Sequence, residues 1–220
     1  MPLEGVRRKG VEWEGLVKAW GEILDRYEVL SADDGRDVAY WHSEDALTAL
    51  LATAAWQIDA GAGLVQFSTV RRRATPEESG KGFGDAWLRL GQRWYAVEAK
   101  LCWAAHEIKT SLELAIGDLW SLRPEDRAHG GLALCYCVPS ISSAPRVDFI
   151  KETARDAVRQ CPDAEFIVAY MPKGSVPRDE DEGYIYPGMV AVGQLVSWEA
   201  RSGNDPWQRT RNLPLEKERV

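Results

Sequence analysis

The spacing of apolar and polar positions predicts two helices and a strand in the first third of the chain. Residues 11–29 place apolar side chains at helical intervals with charged residues between them, which predicts an amphipathic helix. A second helix is predicted from Ser43, whose hydroxyl can cap the first turn, to Trp56, where a strongly apolar run ends. The apolar and β-branched run Leu64–Val70 predicts the first strand.

The stretch Gly82–Leu101 has the pattern of a β-hairpin. Aromatic and branched residues fill both arms, and Gly91–Gln92 supplies a two-residue turn with glycine in the first central position, as a type II′ turn requires. This turn sets the register, because each residue before it then faces one particular residue after it. Asp85 is thereby placed opposite Glu98, and Lys100 points to the same face of the ribbon.

The rest of the chain continues with alternating helices and strands. The predicted helices are Ser111–Leu122 and Val147–Cys161, and the predicted strands are Gly131–Val138, Glu165–Tyr170 and a strand pair within Tyr184–Trp198. The order helix, three strands, helix and strand predicts an α/β fold with a central mixed sheet flanked by helices. We expect an N-terminal helical extension (1–40), one core domain (41–200) and a C-terminal tail (201–220).

Composition and charge limit the functions that such a fold could serve. With 220 residues, 45% of them hydrophobic, the chain can bury one sizeable core. The 27 basic and 34 acidic residues give a net charge of −7, which argues against an obligate basic nucleic-acid coat and against a membrane-surface protein. A protein that binds phosphate groups can still be acidic overall, because metal ions and a local basic patch attract the phosphates.

The cysteines and the apolar runs bear on location. The four cysteines show neither a Cys-x-x-Cys pair nor histidines at zinc spacing, which favours reduced thiols in a cytoplasmic protein. Cys135 and Cys137 alternate onto one face of their strand and are predicted to pack in the core. No apolar run reaches membrane-spanning length and no signal-peptide core is recognisable, so we expect no membrane partner. Export by a specialised secretion system is left open.

The two facing carboxylates of the hairpin indicate a particular chemistry. Asp85 and Glu98 at roughly 5 Å between Cβ atoms would repel each other, and a bound cation would relieve that repulsion. Carboxylate oxygens beside a backbone carbonyl, such as that of Ala99, suit Mg²⁺, Mn²⁺ or Ca²⁺ rather than Zn²⁺. The ammonium group of Lys100 could orient a metal-bound water or neutralise charge on a phosphate. The pattern therefore favours chemistry on phosphodiesters.

Asp85, the hairpin and the tripeptide Glu98-Ala99-Lys100 together resemble the motif of the PD-(D/E)XK nuclease superfamily. The resemblance implies a restriction-endonuclease-like fold with an α-β-β-β-α-β core, and a metal-dependent nuclease with DNA favoured over RNA as substrate. It implies Mg²⁺ or Mn²⁺ as cofactor, Asp85 and Glu98 as metal ligands, and Lys100 as the catalytic lysine. Gly84 stands where the motif has its nominal proline. A second Glu-x-Lys, Glu107-Ile108-Lys109, lacks an aspartate on a paired strand and is set aside.

Two further groups of residues are candidates for the site. The resembled family often brings an additional acid from the helix before the sheet, and Glu44 is the matching position; an interaction with the helix dipole is the competing interpretation. Arg71, Arg72 and Arg73, followed by Lys81 in the next loop, could bind nucleic-acid phosphates. A solvated charged face is the competing interpretation for these four residues.

Other functions remain as alternatives. The fold could serve an inactive binding or regulatory protein, although a relaxed site would be expected to have lost one of its three residues. A different hydrolase is not supported, because there is no Gly-x-Ser-x-Gly elbow and His42, His106 and His129 lack zinc spacing. Cutting both strands of a duplex would favour a homodimer, with the first helix as one candidate interface.

Overall fold

The fold is seen in a computed structural model that describes residues 4–8, 11–31, 38–71, 80–123, 126–141, 146–172 and 184–198. The α-helices are α1 (Val11–Ser31), α2 (Ala39–His42), α3 (Glu44–Ala55), α4 (Ile108–Ser121) and α5 (Arg146–Gln160). The strands are β1 (Glu4–Arg8), β2 (Ala62–Arg71), β3 (Gly80–Leu90), β4 (Arg93–Cys102), β5 (Gly130–Cys137), β6 (Phe166–Tyr170) and β7 (Met189–Val196).

These elements form an α/β fold around one mixed sheet, as the sequence predicts. Six strands, β2 to β7, form the main body of the sheet, and the short β1 is added at one edge, giving the order β1-β6-β7-β5-β4-β3-β2. The pair β4–β5 is parallel, whereas the hairpins β2–β3 and β3–β4 are antiparallel. From α3 to β5 the chain runs through a helix, three strands, a helix and a strand.

Helices cover both faces of this sheet, and the alternation of side chains along β4 assigns each residue to one face. Tyr95, Val97 and Ala99 belong to the core that includes α1 and α3. Ala96 and Cys102 belong to the core that includes α4 and α5. Glu98 and Lys100 share the parity of the second set and therefore lie on the α4 side. Strand β5 is buried along its whole length, as its uninterrupted apolar run predicts.

The predicted hairpin register is confirmed over most of its length. Backbone pairing of β3 and β4 runs from Leu90–Arg93 to Ala86–Val97. Gly91 has a φ of +60°, which a glycine adopts without strain and which the first position of a type II′ turn requires. Asp85 and Glu98, although both described, are not among the paired residues. The expected direct cross-strand pair is therefore not formed, because β3 and β4 separate beyond Ala86.

Two other elements differ from the sequence prediction. Helix α4 begins at Ile108, three residues earlier than predicted, after a 3-10 turn at Ala105–Glu107. The apolar periodicity misses this start because Ile108 is the one buried side chain among the first three helical residues. The region 184–198 contains one strand, β7, and an isolated bridge between Ile185 and Ile141 instead of a strand pair. The predicted tail, 201–220, lies outside the described residues.

Candidate active site

Asp85 lies where β3 and β4 stop pairing, and its side chain replaces the missing backbone partner. Asp85 Oδ2 accepts a hydrogen bond from the backbone N–H of Ala99 at 2.7 Å. In an antiparallel ladder that amide would otherwise bond to the backbone of the neighbouring strand. We call this place the β3–β4 fork and define it by Asp85, Ala99 and Leu101. The position of Asp85 is thus set by a backbone requirement of β4.

Glu44 accepts a hydrogen bond from the next amide along the same edge of β4. Helix α3 begins with Ser43 as its cap, whose Oγ accepts from the Ala46 N–H at 3.2 Å, and this places Glu44 in the first turn. Glu44 Oε2 accepts from the N–H of Leu101 at 3.0 Å. Burial raises the pKa of Glu44, the charge of Lys100 opposes that rise, and the charge of Asp85 adds to it. The predicted additional acid therefore lies at the fork, in electrostatic contact with both residues.

Three carboxylates converge at this point. Glu44, Asp45 and Asp85 each offer an oxygen, and these oxygens lie within 4.8 Å of one another. Three like charges at that spacing repel each other, and carboxylate oxygens are the ligands that Mg²⁺, Mn²⁺ and Ca²⁺ prefer. The donor set therefore fits a hard divalent cation. Asp45 is not predicted as a ligand, although its position beside Glu44 in the same helical turn is the signal that could have identified it.

Glu98 is placed differently from these three acids. It is almost fully buried, with 1% of its surface exposed, whereas Glu44 and Asp85 are half-buried and Asp45 is exposed. By strand alternation Glu98 lies on the α4 side of the sheet, the side to which Asp85 and Lys100 also belong. It does not belong to the group of three converging oxygens. Its role as a metal ligand stays a prediction. The backbone of Ala99 is better placed, because the N–H and C=O of a strand residue point to the same edge and its N–H already points toward Asp85.

Lys100 forms an ion pair that the sequence does not reveal. Its Nζ lies 2.7 Å from Asp118 Oδ2, and the two side chains are 29% and 39% exposed. Burial acts to lower the pKa of Lys100, but the hydrogen bond and charge of Asp118, together with the charges of Glu44 and Asp85, outweigh it and raise the pKa. Lys100 is therefore positively charged at neutral pH and lies within electrostatic reach of the acids of the fork.

Asp118 is the residue of this group that sequence reasoning missed. It lies on α4, between the buried Ala115 and Leu119. A single carboxylate close to the buried face of an otherwise apolar helical run is the signal that could have identified it. Asp118 comes 18 positions after Lys100 in the sequence, and the packing of α4 on β4 brings the two together.

The four basic residues predicted to bind phosphate are only partly described. Arg71 is the last residue of β2 and pairs with Gly80, whereas Lys81 pairs with Val70. At about 3.3 Å per residue, Lys81 is roughly 13 Å along β3 from Asp85. Arg72 and Arg73 lie outside the described residues. Phosphate binding by these four side chains stays a prediction.

The cysteines form part of the core and are not bridged. All four are free and buried, which confirms the core packing predicted for Cys135 and Cys137. Cys102 Sγ lies 3.6 Å from Cys135 Sγ. Hydrogen bonds from Cys135 and Cys137 lower the pKa of the Cys102 thiol, whereas the pKa values of Cys135 and Cys137 are raised.

Among the helices of the described residues, none has the length and apolar character needed to cross a bilayer. Comparison with known proteins gives no relative from which a function could be transferred: no protein-family model matches the chain, and no curated protein or solved structure matches it significantly.

Proposed function

We propose that this protein is a metal-dependent nuclease of the PD-(D/E)XK type that hydrolyses phosphodiester bonds, with DNA favoured over RNA. The observation that supports this proposal most is the convergence of Glu44, Asp45 and Asp85 at the β3–β4 fork. Lys100 lies close enough for the charges of Glu44 and Asp85 to raise its pKa. A cluster of acids that can bind a divalent metal ion, with a charged lysine beside it, is the arrangement that a metal-assisted attack on a phosphate requires.

Glu44, Asp45 and Asp85 would hold Mg²⁺ or Mn²⁺, with the carbonyl of Ala99 and the carboxylate of Glu98 as further predicted ligands. When bound, the ion would supply Lewis-acid activation of a water and of the phosphate. The protein contributes fixed ligands, because the amides of Ala99 and Leu101 hold Asp85 and Glu44 by hydrogen bonds. Ligands held this way lose little further freedom when an ion binds.

The charged amine of Lys100 has a different role in this proposal. A protonated amine donates hydrogen bonds, so Lys100 would orient the attacking water or stabilise negative charge on the phosphate rather than remove a proton. Asp118 would keep the amine charged and directed toward the site through the 2.7 Å ion pair. Asp118 would thus be a positioning residue, and Lys100 would be the residue that contacts the substrate.

The arrangement of elements supports the same proposal. The order α3, β2, β3, β4, α4 and β5 corresponds to the α-β-β-β-α-β core expected for a restriction-endonuclease-like fold. Of the three core residues of the motif, Asp85 lies on β3, and Glu98 and Lys100 lie on β4. The four free cysteines are in keeping with a cytoplasmic location, and a homodimer would allow both strands of a duplex to be cut.

One observation favours a second candidate, an inactive binding protein with the same fold. Glu98 is 1% exposed and lies outside the group of converging oxygens. If that burial persists when Mg²⁺ or Mn²⁺ is added, one ligand of the resembled motif does not take part in metal binding. The two candidates differ in whether the protein cuts nucleic acid at all.

A cleavage assay separates them. Supercoiled plasmid, single-stranded DNA and RNA are incubated with the protein in Mg²⁺, in Mn²⁺ and in chelator. We expect metal-dependent cleavage that falls at least about 100-fold in Asp85→Asn and Glu44→Gln, since loss of a metal ligand removes several kcal/mol of transition-state stabilisation. Glu113→Gln, on the exposed face of α4, is the matched control and should cut normally. Absence of cleavage by the unmodified protein in every metal would refute the proposal.

A further inference from the structure

Trp103 is an exposed tryptophan beside the proposed site. It directly follows the end of β4, three residues after Lys100 and two after Leu101, whose amide binds Glu44. Its side chain is 47% exposed. Its ring contacts Tyr186, which packs against the core that includes α3, so the indole lies on the side of the sheet from which Glu44 approaches.

The indole is held in place from two directions. The backbone N–H groups of Trp103 and Ala104 both donate to Glu107 Oε2 at 3.2 Å, which fixes the chain as it leaves β4. The ring meets Tyr186 edge to face, with 5.9 Å between ring centroids and an interplanar angle of 64°. This is the favoured geometry of an aromatic pair. A large apolar ring is thus kept partly exposed on a rigid support.

The support connects Trp103 to the helices of the site. The hydroxyl of Tyr40 donates to the backbone carbonyl of Tyr186 at 2.9 Å, and Tyr40 is fully buried in α2. Helix α2 ends at His42, immediately before the cap of α3 and Glu44. The position of the indole relative to the acids is therefore set by contacts within the fold rather than by a free loop.

We propose that Trp103, supported by Tyr186, stacks on an unpaired nucleobase next to the phosphate to be cut, and that the substrate is single-stranded nucleic acid. This inference rests on the proposed nuclease function and narrows its substrate class. A base inside an intact duplex has both faces covered by its neighbours, whereas a base of a single strand offers a free face to an aromatic ring.

The charge of the chain favours this mode of binding. With 27 basic against 34 acidic residues the chain has a net charge of −7, which weakens its overall attraction for a phosphate backbone. Stacking does not depend on cations and tolerates any base, because every base has a π-face. We therefore expect binding with a shallow salt dependence, in contrast to proteins that bind mainly through lysine and arginine.

The test compares Trp103→Ala, Trp103→Leu and Trp103→Phe with Trp56→Ala. Leucine keeps apolar bulk against Tyr186 without a π-face, so it separates stacking from packing if the alanine variant folds poorly. Trp56 is a matched control, since it is 61% exposed but follows the opposite end of α3 from Glu44, about 18 Å away at 1.5 Å per residue. Binding of a labelled single-stranded oligonucleotide and of a blunt duplex is measured by fluorescence anisotropy in Ca²⁺, after checking that Ca²⁺ supports no cleavage. Cleavage of both is measured in Mg²⁺.

We expect Trp103→Ala and Trp103→Leu to weaken single-strand binding about 10- to 100-fold. Trp103→Phe should lose much less, and Trp56→Ala should bind as the unmodified protein does. Duplex binding should change little in any variant. If the unmodified protein cuts nucleic acid but Trp103→Leu binds single strands normally, the stacking site is refuted and the nuclease proposal stands. If the unmodified protein neither binds nor cuts nucleic acid, both are refuted, and the exposed indole would then contact another kind of partner.

Discussion

Replacing Gly84 by alanine should destabilise the protein, because the ring of Phe67 occupies the space that a side chain would need. A Cβ added at Gly84 would lie 2.9 Å from Phe67 Cε2 and closer still to Cζ and Cε1. Phe67 pairs with Gly84 across the β2–β3 ladder, and its ring packs on Trp87 with 5.1 Å between centroids. The ring therefore cannot move away from Gly84 without changing its contact with Trp87. The same clash explains why glycine stands where the resembled motif has a proline, whose ring also contains a Cβ.

The size of the effect follows from the overlap. Carbon atoms of neighbouring groups separate to about 3.5–4.0 Å, and two atoms of the ring lie closer to the added Cβ than Cε2 does, so the ring would have to retreat by about 1.5 Å or more. Forcing extra bulk into a packed site costs about 1–3 kcal/mol. For a chain of 220 residues, a loss of about 2 kcal/mol lowers the melting temperature by about 4–8 °C. Gly84 directly precedes Asp85, so the displacement would also disturb the β3–β4 fork.

Thermal unfolding followed by circular dichroism measures this effect, with two comparisons. Gly117→Ala is the matched control, because a Cβ there meets nothing within 4 Å and alanine in a helix is favoured over glycine by about 0.5–1 kcal/mol. It should raise the melting temperature. In a Phe67→Ala background, Gly84→Ala should cost almost nothing, since the obstructing ring is gone. The reasoning is refuted if Gly84→Ala melts within about 1 °C of the unmodified protein, or if it is equally costly without the ring.

Four further effects are expected for the charged groups and the thiols. Asp118→Asn should lower the cleavage rate about tenfold or more, which corresponds to a loss of about 1.4 kcal/mol in transition-state stabilisation. Asp118→Glu should retain most of the cleavage rate. Equal rates in the two variants would show that Lys100 needs no charged partner. Because burial raises the pKa of Glu44, its charge costs stability once the pH rises through that pKa, so Glu44→Gln should melt higher than the unmodified protein at neutral pH in chelator. Because the pKa of Glu44 is raised, protons compete with the metal for this carboxylate. The Mn²⁺ affinity of the unmodified protein, measured by calorimetry, should therefore fall as the pH is lowered from 7 to 5. An affinity that does not depend on pH would place the metal elsewhere. The four buried thiols should react with a thiol reagent much faster after unfolding than before, and rapid labelling of Cys102 in the native protein would contradict its burial.

Local signals predicted the fold well where the structure depends on neighbouring residues. A two-residue turn at Gly91 determined the register of β3 and β4, and Ser43 determined where α3 begins. The uninterrupted apolar run of β5 predicted a strand covered on both faces. In each case the physical cause lies within a few residues, so the sequence alone contains the information.

The parts that could not be predicted depend on contacts between distant elements. The hairpin pattern does not show that backbone pairing ends at Ala86, because that depends on the Asp85 side chain taking the amide of Ala99. The partner of Lys100 is on α4. The aromatic ring that supports Trp103 is that of Tyr186, which comes much later in the sequence. The insertion of β7 between β5 and β6 likewise leaves no local signal, because it is decided by how whole strands pack.

The β3–β4 fork requires hydrogen-bond acceptors, and this requirement alone does not explain why they are charged. The amides of Ala99 and Leu101 each need an oxygen as hydrogen-bond acceptor. Asp85 supplies it for Ala99, and Glu44 supplies it for Leu101. Asparagine and glutamine would supply the same acceptor without bringing like charges together. Asp45 adds a third acid within 4.8 Å, where repulsion opposes folding. Stability does not require this arrangement of charges, but a site that binds a cation would. Together with Lys100, which is held by its own ion pair, it is the physical reason to test for nuclease activity here.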